Sequence, residues 1–204
     1  MGGDRSKIQD KQEEEGKVTV EKPKKKGVCG KQKGSGFERE ICKKLSDWIS
    51  GGERDDIFWR SAMSGGRATL QFKKGADNKS QVGDISSINK LGDKFTDHFV
   101  IECKFYKDIK IDSLVYRFPK KSSLLEFWND LTKLCFKVNK HPIIIFKQNN
   151  KPVLLGASLF FCNTAFEGSA LSELAIFPNE NDDLYLYNFN ESLSYLDPAR
   201  LELL

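Results

Sequence analysis

The run Pro142-Ile143-Ile144-Ile145-Phe146 carries no polar side chain and is too short for an ordinary helix. A short β-branched run of this kind reads as a strand apolar on both faces. Both faces then need cover, which points to a sheet with helices on either side. Asn149-Asn150 turns the chain from this strand into a second apolar stretch, Val153-Leu154-Leu155.

Two amphipathic helices are available as cover. The first is predicted from Ser35, with Phe37, Ile41, Leu45, Trp48 and Ile49 on one stripe. Ser35 and Glu38 have capping-box spacing, and Gly51-Gly52 ends the helix. The second runs from Ser123 to about Asn139, with Leu124, Phe127, Trp128, Leu131, Leu134, Cys135 and Val138 on its stripe. Ser123 and Glu126 repeat the capping-box spacing. Trp48, Trp59 and Trp128 are expected in the core. Between the helices lie strand candidates at Ile57-Phe58-Trp59, Val82 to Ile88 and His98 to Phe105. The order helix, three strands, helix, strand predicts an α/β fold with a mixed central sheet flanked by helices.

Residues 1–33 are charged, lack apolar periodicity and read as a disordered tail. Residues 34–155 form the expected core. Residues 156–204 are expected to be an extension packed on it, with a strand at Leu184 to Tyr187 and a short helix near Glu191 to Tyr195. No apolar run reaches the roughly 20 residues of a membrane helix, and no secretory signal is expected.

Composition narrows the chemistry. The five cysteines are odd in number and none has Cys-x-x-Cys spacing, which argues against a zinc site or disulfide framework and for a reducing cytoplasm. Two histidines leave few bases for a serine or cysteine triad, whereas metal-assisted phosphate chemistry needs none. Lys110 to Lys151 holds nine bases against three acids, and Pro152 onward holds one base against eight acids. One part of the fold is thus suited to a polyanion.

Side chains alternate along a strand. In His98 to Phe105, Phe99, Ile101, Cys103 and Phe105 share an apolar face, while Glu102 and Lys104 share the other with Val100. A hairpin from the preceding strand would bring Asp84 beside Glu102. Two carboxylates so placed repel unless a cation lies between them, and oxygen ligands suit Mg²⁺ or Mn²⁺. Glu38 falls inside the apolar stripe of its helix, where an acid needs a partner. Either the capping box or a site on the core side satisfies it.

The string Lys33-Gly34-Ser35-Gly36-Phe37-Glu38-Arg39-Glu40, the loop at Ser64-Gly65-Gly66, Gly83-Asp84 and Glu102-Cys103-Lys104 together resemble the PD-(D/E)xK nuclease superfamily. Within it the chain looks most like archaeal-type Holliday junction resolvases and related phage endonucleases. The resemblance covers roughly Lys33 to Leu155 and implies a restriction-endonuclease-like core. It implies Asp84, Glu102 and Lys104 as catalytic residues, with Glu38 supporting the metal site. The Cys103 backbone carbonyl joins Asp84, Glu102 and Glu38 as a metal ligand, with Mg²⁺ the expected ion and Mn²⁺ a substitute. Ser64 is the expected substrate contact, with Ser61 behind it. Arg67, Lys73 and Lys74 would hold DNA backbone, as would Arg60 and Lys79. Lys147 is either a phosphate contact or a solvated strand end.

Two departures stand out. Gly83 replaces the proline before the first acid, and the link from Asp84 to Glu102 is longer than in the small archaeal enzymes. The expected function is a metal-dependent DNA endonuclease, acting as a homodimer on branched DNA. The alternatives are a phage or restriction-type nuclease on linear or flap DNA, and a non-catalytic DNA-binding protein on a nuclease fold. The expected setting is the cytoplasm of a bacterial, archaeal or phage-infected cell.

Overall fold

The structure, a computed structural model, describes residues 30–61, 82–109, 111, 123–166, 169–179 and 182–203. Residues 1–29 and the loop carrying Ser64, Arg67, Lys73, Lys74 and Lys79 lie outside the described residues, while residues 30–33 of the expected disordered tail are helical.

The strands expected at Pro142–Phe146 and His98–Phe105 form the centre of the fold. β3 (Phe99–Tyr106) and β4 (His141–Gln148) run parallel, with Glu102 opposite Ile144. Parallel neighbours need a crossover, and α3 (Ser123–Val138) lies on it. β5 (Val153–Ala157) returns antiparallel to β4 after a turn in which Asn150 takes a positive φ of 59°. β7 (Leu184–Asn188) pairs with β5, and β6 (Ala175–Phe177) pairs with β7 at the edge. The sheet order is β3-β4-β5-β7-β6. Residues beyond Ala157 therefore add two strands to the central sheet, together with α4 (Leu159–Phe166), α5 (Phe189–Tyr195) and a 3₁₀ turn, Pro198–Leu203.

Cover on both faces is what Ile143-Ile144-Ile145 demanded. Ile143 and Ile145 pack in one core with Phe37, Ile41 and Leu45 of α1 (Gly30–Ile49) and with Phe99 and Ile101. Ile144 and Phe146 pack in the other with Val100 and with Trp128 and Leu131 of α3. Fully burying such side chains contributes roughly 1.5–3 kcal/mol each.

Four details differ from the sequence-based expectation. α1 starts at Gly30, so Ser35 lies inside the helix and its Oγ donates to the Gln32 carbonyl at 3.3 Å. The capping-box reading of Ser35 and Glu38 is thus overturned. The added first turn is held where Lys33 reaches over the Phe105 ring, 5.9 Å from its centroid. Secondly, β1 (Phe58–Arg60) and β2 (Ile85–Ser87) form a separate antiparallel pair outside the central sheet. Thirdly, α2 (Lys90–His98) stands between β2 and β3, where a hairpin was expected. Asn89 caps α2 by accepting from the Leu91 N–H at 3.0 Å. Phe95 anchors it edge-on to Trp48 and Phe58. Fourthly, Trp59 is 58% exposed, although Trp128 is buried as expected.

Gly51 and Gly52 end α1 as read, with φ of 66° and 89°. The Gly52 N–H donates to the Asp47 carbonyl at 2.7 Å.

Candidate active site

Along β3 the alternation sends Phe99, Ile101 and Cys103 into the α1 core and Val100 into the α3 core. Past Val100 that second face carries Glu102 and then Lys104. Their side chains are each 22% exposed and form an ion pair. The Lys104 Nζ also lies 5.2 Å from the centre of the Phe127 ring on α3. A half-buried lysine thus has a carboxylate on one side and an aromatic face on the other.

Asp84 reaches this strand by direct backbone contact. Its N–H donates to the Ile101 carbonyl at 2.8 Å, and its Oδ2 accepts the Cys103 N–H at 2.8 Å. Its own carbonyl accepts the Ser61 N–H at 2.8 Å, which ties in the end of β1. Only glycine fits the position before it. Gly83 has φ of 95°, and a Cβ there would lie 2.8 Å from the Ile101 carbonyl oxygen and 2.9 Å from Val100 Cγ1. The expected closeness of Asp84 and Glu102 is therefore real, although its cause is this contact and not a hairpin.

The electrostatics follow from burial. Asp84 is 8% exposed. Burial pushes its carboxyl up, and the charge of Glu102 pushes further, to about 7. The Cys103 N–H and Lys104 oppose the rise, and Glu38 adds a little to it. Burial works to lower the Lys104 ammonium, but the charge and hydrogen bond of Glu102, with Asp84, outweigh it and hold the lysine above its ordinary value. Cys103 is buried and its thiol is pushed well up, chiefly by that burial. It is a packing residue, as its pattern suggested.

Glu38 faces the same region from α1. It is ion-paired with Arg60 of β1, their side chains 14% and 28% exposed. Ser46 fixes the two elements against each other. Its buried Oγ donates to the Cys42 carbonyl at 2.8 Å and accepts the N–H groups of Ile57 and Phe58 at 3.0 and 2.9 Å. Arg60, read from the sequence as a DNA contact, is in this structure the partner of Glu38.

Glu38, Asp84, Glu102 and Lys104 all line one open cleft of about 580 Å³, whose wall continues to Lys33 and Tyr106. Lys147 lies beside this wall, on β4 opposite Phe105, with its Nζ 5.7 Å from the Phe105 ring centre. Ser61 is buried. Sequence reasoning missed Lys33 and the aromatic bed of Phe105, Tyr106 and Phe127. Two adjacent aromatics directly after Glu102-Cys103-Lys104 were the available signal.

Among the described residues no group of three or more His, Cys, Asp or Glu side chains is gathered to hold a metal. Mg²⁺ is commonly held by one or two carboxylates, with substrate phosphate and water completing its shell. Asp84, Glu102 and the Cys103 carbonyl are hard oxygen donors of that kind. Burial first, and then the charge of Glu102, disfavour the Asp84 carboxylate, and a cation between the two acids would relieve that repulsion. The donor chemistry fits.

A family model described as "Phage putative PDDEXK endonuclease" matches residues 30–162. No curated protein and no solved structure matches the chain.

Proposed function

The chain belongs to the phage PDDEXK endonuclease family, a family of PD-(D/E)xK nucleases, and from that we propose that it is a metal-dependent endonuclease that hydrolyses phosphodiester bonds in DNA. The observation that carries this reading is the fixing of Asp84 to the strand of Glu102 and Lys104 by the Cys103 N–H. Three groups suited to phosphate hydrolysis thereby face one cleft.

In this proposal Asp84, Glu102 and the Cys103 carbonyl hold Mg²⁺, with Mn²⁺ as a substitute. The bound ion would supply a nucleophilic water at neutral pH and offset charge on the phosphate. Lys104, beside Glu102, would position or deprotonate the attacking water and neutralise charge on the phosphate. Glu38, with Arg60 opposite, sets the local charge behind Asp84. Lys33 and Lys147 attract the DNA backbone at the cleft's edge. Across the family resemblance, a homodimer acting on two strands of a branched substrate is the matching assembly.

The test is cleavage of a labelled four-way junction and its matched linear duplex, in Mg²⁺ and in EDTA, with Lys104→Ala alongside. We expect Mg²⁺-dependent cutting that the variant loses. Cutting of the junction alone supports resolution, and cutting of both supports a general endonuclease. Cutting that persists in EDTA or in Lys104→Ala would overturn the site.

A further inference from the structure

We propose that Tyr106 is a stacking seat for an unpaired nucleobase within about two nucleotides of the scissile phosphate, so that the favoured substrate is DNA with a single-stranded or splayed nucleotide near the cut. This rests on the endonuclease reading above and adds to it a substrate class and a residue.

Tyr106 is the last residue of β3 and shares a face with Glu102 and Lys104. Two residues of strand separate it from Lys104, about 7 Å. That is about two steps of a DNA strand at its rise of about 3.4 Å. A base stacked on Tyr106 would therefore belong to a nucleotide within about two steps of the phosphate at the site.

The ring is built as a platform. Its one face lies on Phe127, with centroids 5.3 Å apart and planes 23° from parallel. The residue is nevertheless 45% exposed and lines the cleft. The backbone beneath it is fixed, since its carbonyl accepts the Asn149 N–H at 3.2 Å. The exposed ring thus lies at the cleft rather than against another element.

Cations lie on both faces of the strand that carries it. Lys104 lies over the same Phe127 ring, and Lys107 follows on the cleft wall. Lys33 and Lys147 both lie over the neighbouring Phe105, on the opposite face of the strand. Aromatic faces set among lysines are what a single nucleic-acid strand binds, with bases on the rings and phosphates on the ammonium groups. In an intact duplex both faces of each base are already stacked, so a duplex reaches Tyr106 only by extruding a base. The platform thus discriminates in favour of DNA that is already unpaired.

The experiment uses the full chain carrying Asp84→Asn, in EDTA, so that DNA is bound and not cut. The probes are a single strand, a flap and a matched duplex, each with 2-aminopurine placed one and about two nucleotides from the expected cleavage position. We expect Tyr106→Ala to raise Kd for the single strand and flap by about tenfold and to abolish the stacking-dependent fluorescence change, with duplex Kd nearly unchanged. Tyr106→Phe, which keeps the ring, should retain both signals, and the unchanged duplex Kd of Tyr106→Ala shows that this variant remains folded. Equal weakening on all three probes, or no change on any, would overturn the seat. Cleavage by the wild-type chain in Mg²⁺ is measured on the same DNAs. Absent cleavage with a Tyr106-dependent signal would sink the nuclease reading and leave the seat standing.

Discussion

Asp84 and Cys103 lie 19 positions apart, yet Asp84 Oδ2 accepts the Cys103 backbone N–H at 2.8 Å. The acid is locked to the strand whose next side chains on the cleft face are Glu102 and Lys104. Its position is therefore set by main chain and not by the charges around it. Asp84→Asn can keep an oxygen on the Cys103 N–H while losing the charge. We expect Asp84→Asn and Glu102→Gln each to reduce cleavage by 10³-fold or more in order of magnitude, with DNA binding near normal. Single-turnover cleavage beside a binding isotherm checks this. Undiminished cutting by either variant would remove that residue from the site.

The same burial predicts an unusual pH dependence. The Asp84 carboxyl stands near 7 in the folded chain, against an ordinary value of 3.8. Between about pH 4 and pH 7 the folded state holds a proton that the unfolded chain has released. Stability must then fall as pH rises through that window. At about 1.4 kcal/mol per unit, the whole effect is at most a few kcal/mol. Thermal unfolding in EDTA should give a lower Tm at pH 8 than at pH 5, and Asp84→Asn should remove most of the difference. Mg²⁺ should restore stability chiefly at pH 8, where the carboxylate is free of its proton. A Tm in EDTA that rises over this range would contradict the burial argument.

Gly83 offers a purely steric test. An added methyl would meet the Ile101 carbonyl at 2.8 Å, on a backbone with φ of 95°. Gly83→Ala should cost about 1–3 kcal/mol in stability from strain. It should also lower cleavage more than DNA binding, because the shifted segment carries Asp84. Denaturant unfolding and a kcat against KM comparison would show it. A variant with normal stability and kcat would mean that the chain accommodates the methyl freely.

The parts legible in the sequence were those written in one segment. Ile143-Ile144-Ile145 declared a doubly covered strand, and the alternation in His98 to Phe105 separated the core face from Glu102 and Lys104. α2 was missed because Leu91 and Phe95 are its only large apolar residues and His98 was assigned to the next strand. α4 carries Leu159, Phe160, Phe161, Cys162 and Phe166 around much of its circumference, so it shows little helical period. At the site, the proximity of Asp84 and Glu102 was legible, but the Gly83 contact that produces it was not. Ser35 misled because capping-box spacing says nothing about where the preceding turn finds a hold, and Lys33 finds one on Phe105.

The pair of Glu38 and Arg60 gives the last prediction, since removing each partner should move metal dependence in opposite directions. Glu38 is 14% exposed and contributes negative charge behind Asp84. Glu38→Gln therefore lowers the attraction for a cation, and a supporting residue of this kind is typically worth about tenfold in affinity. Arg60→Ala unmasks the Glu38 charge and should lower the Mg²⁺ concentration needed for half-maximal cleavage. Both variants should cost stability, about 1–3 kcal/mol, because each leaves a half-buried charge or donor without its partner. The double variant should lose less than the sum of the two, as expected for groups in contact. Mg²⁺ titrations of cleavage, run with thermal melts, separate the possibilities. Opposite shifts in Mg²⁺ dependence place Glu38 in the electrostatics of the site. Equal stability losses with an unchanged Mg²⁺ midpoint would reduce the pair to a clasp between α1 and β1, leaving the site to Asp84, Glu102 and Lys104 alone.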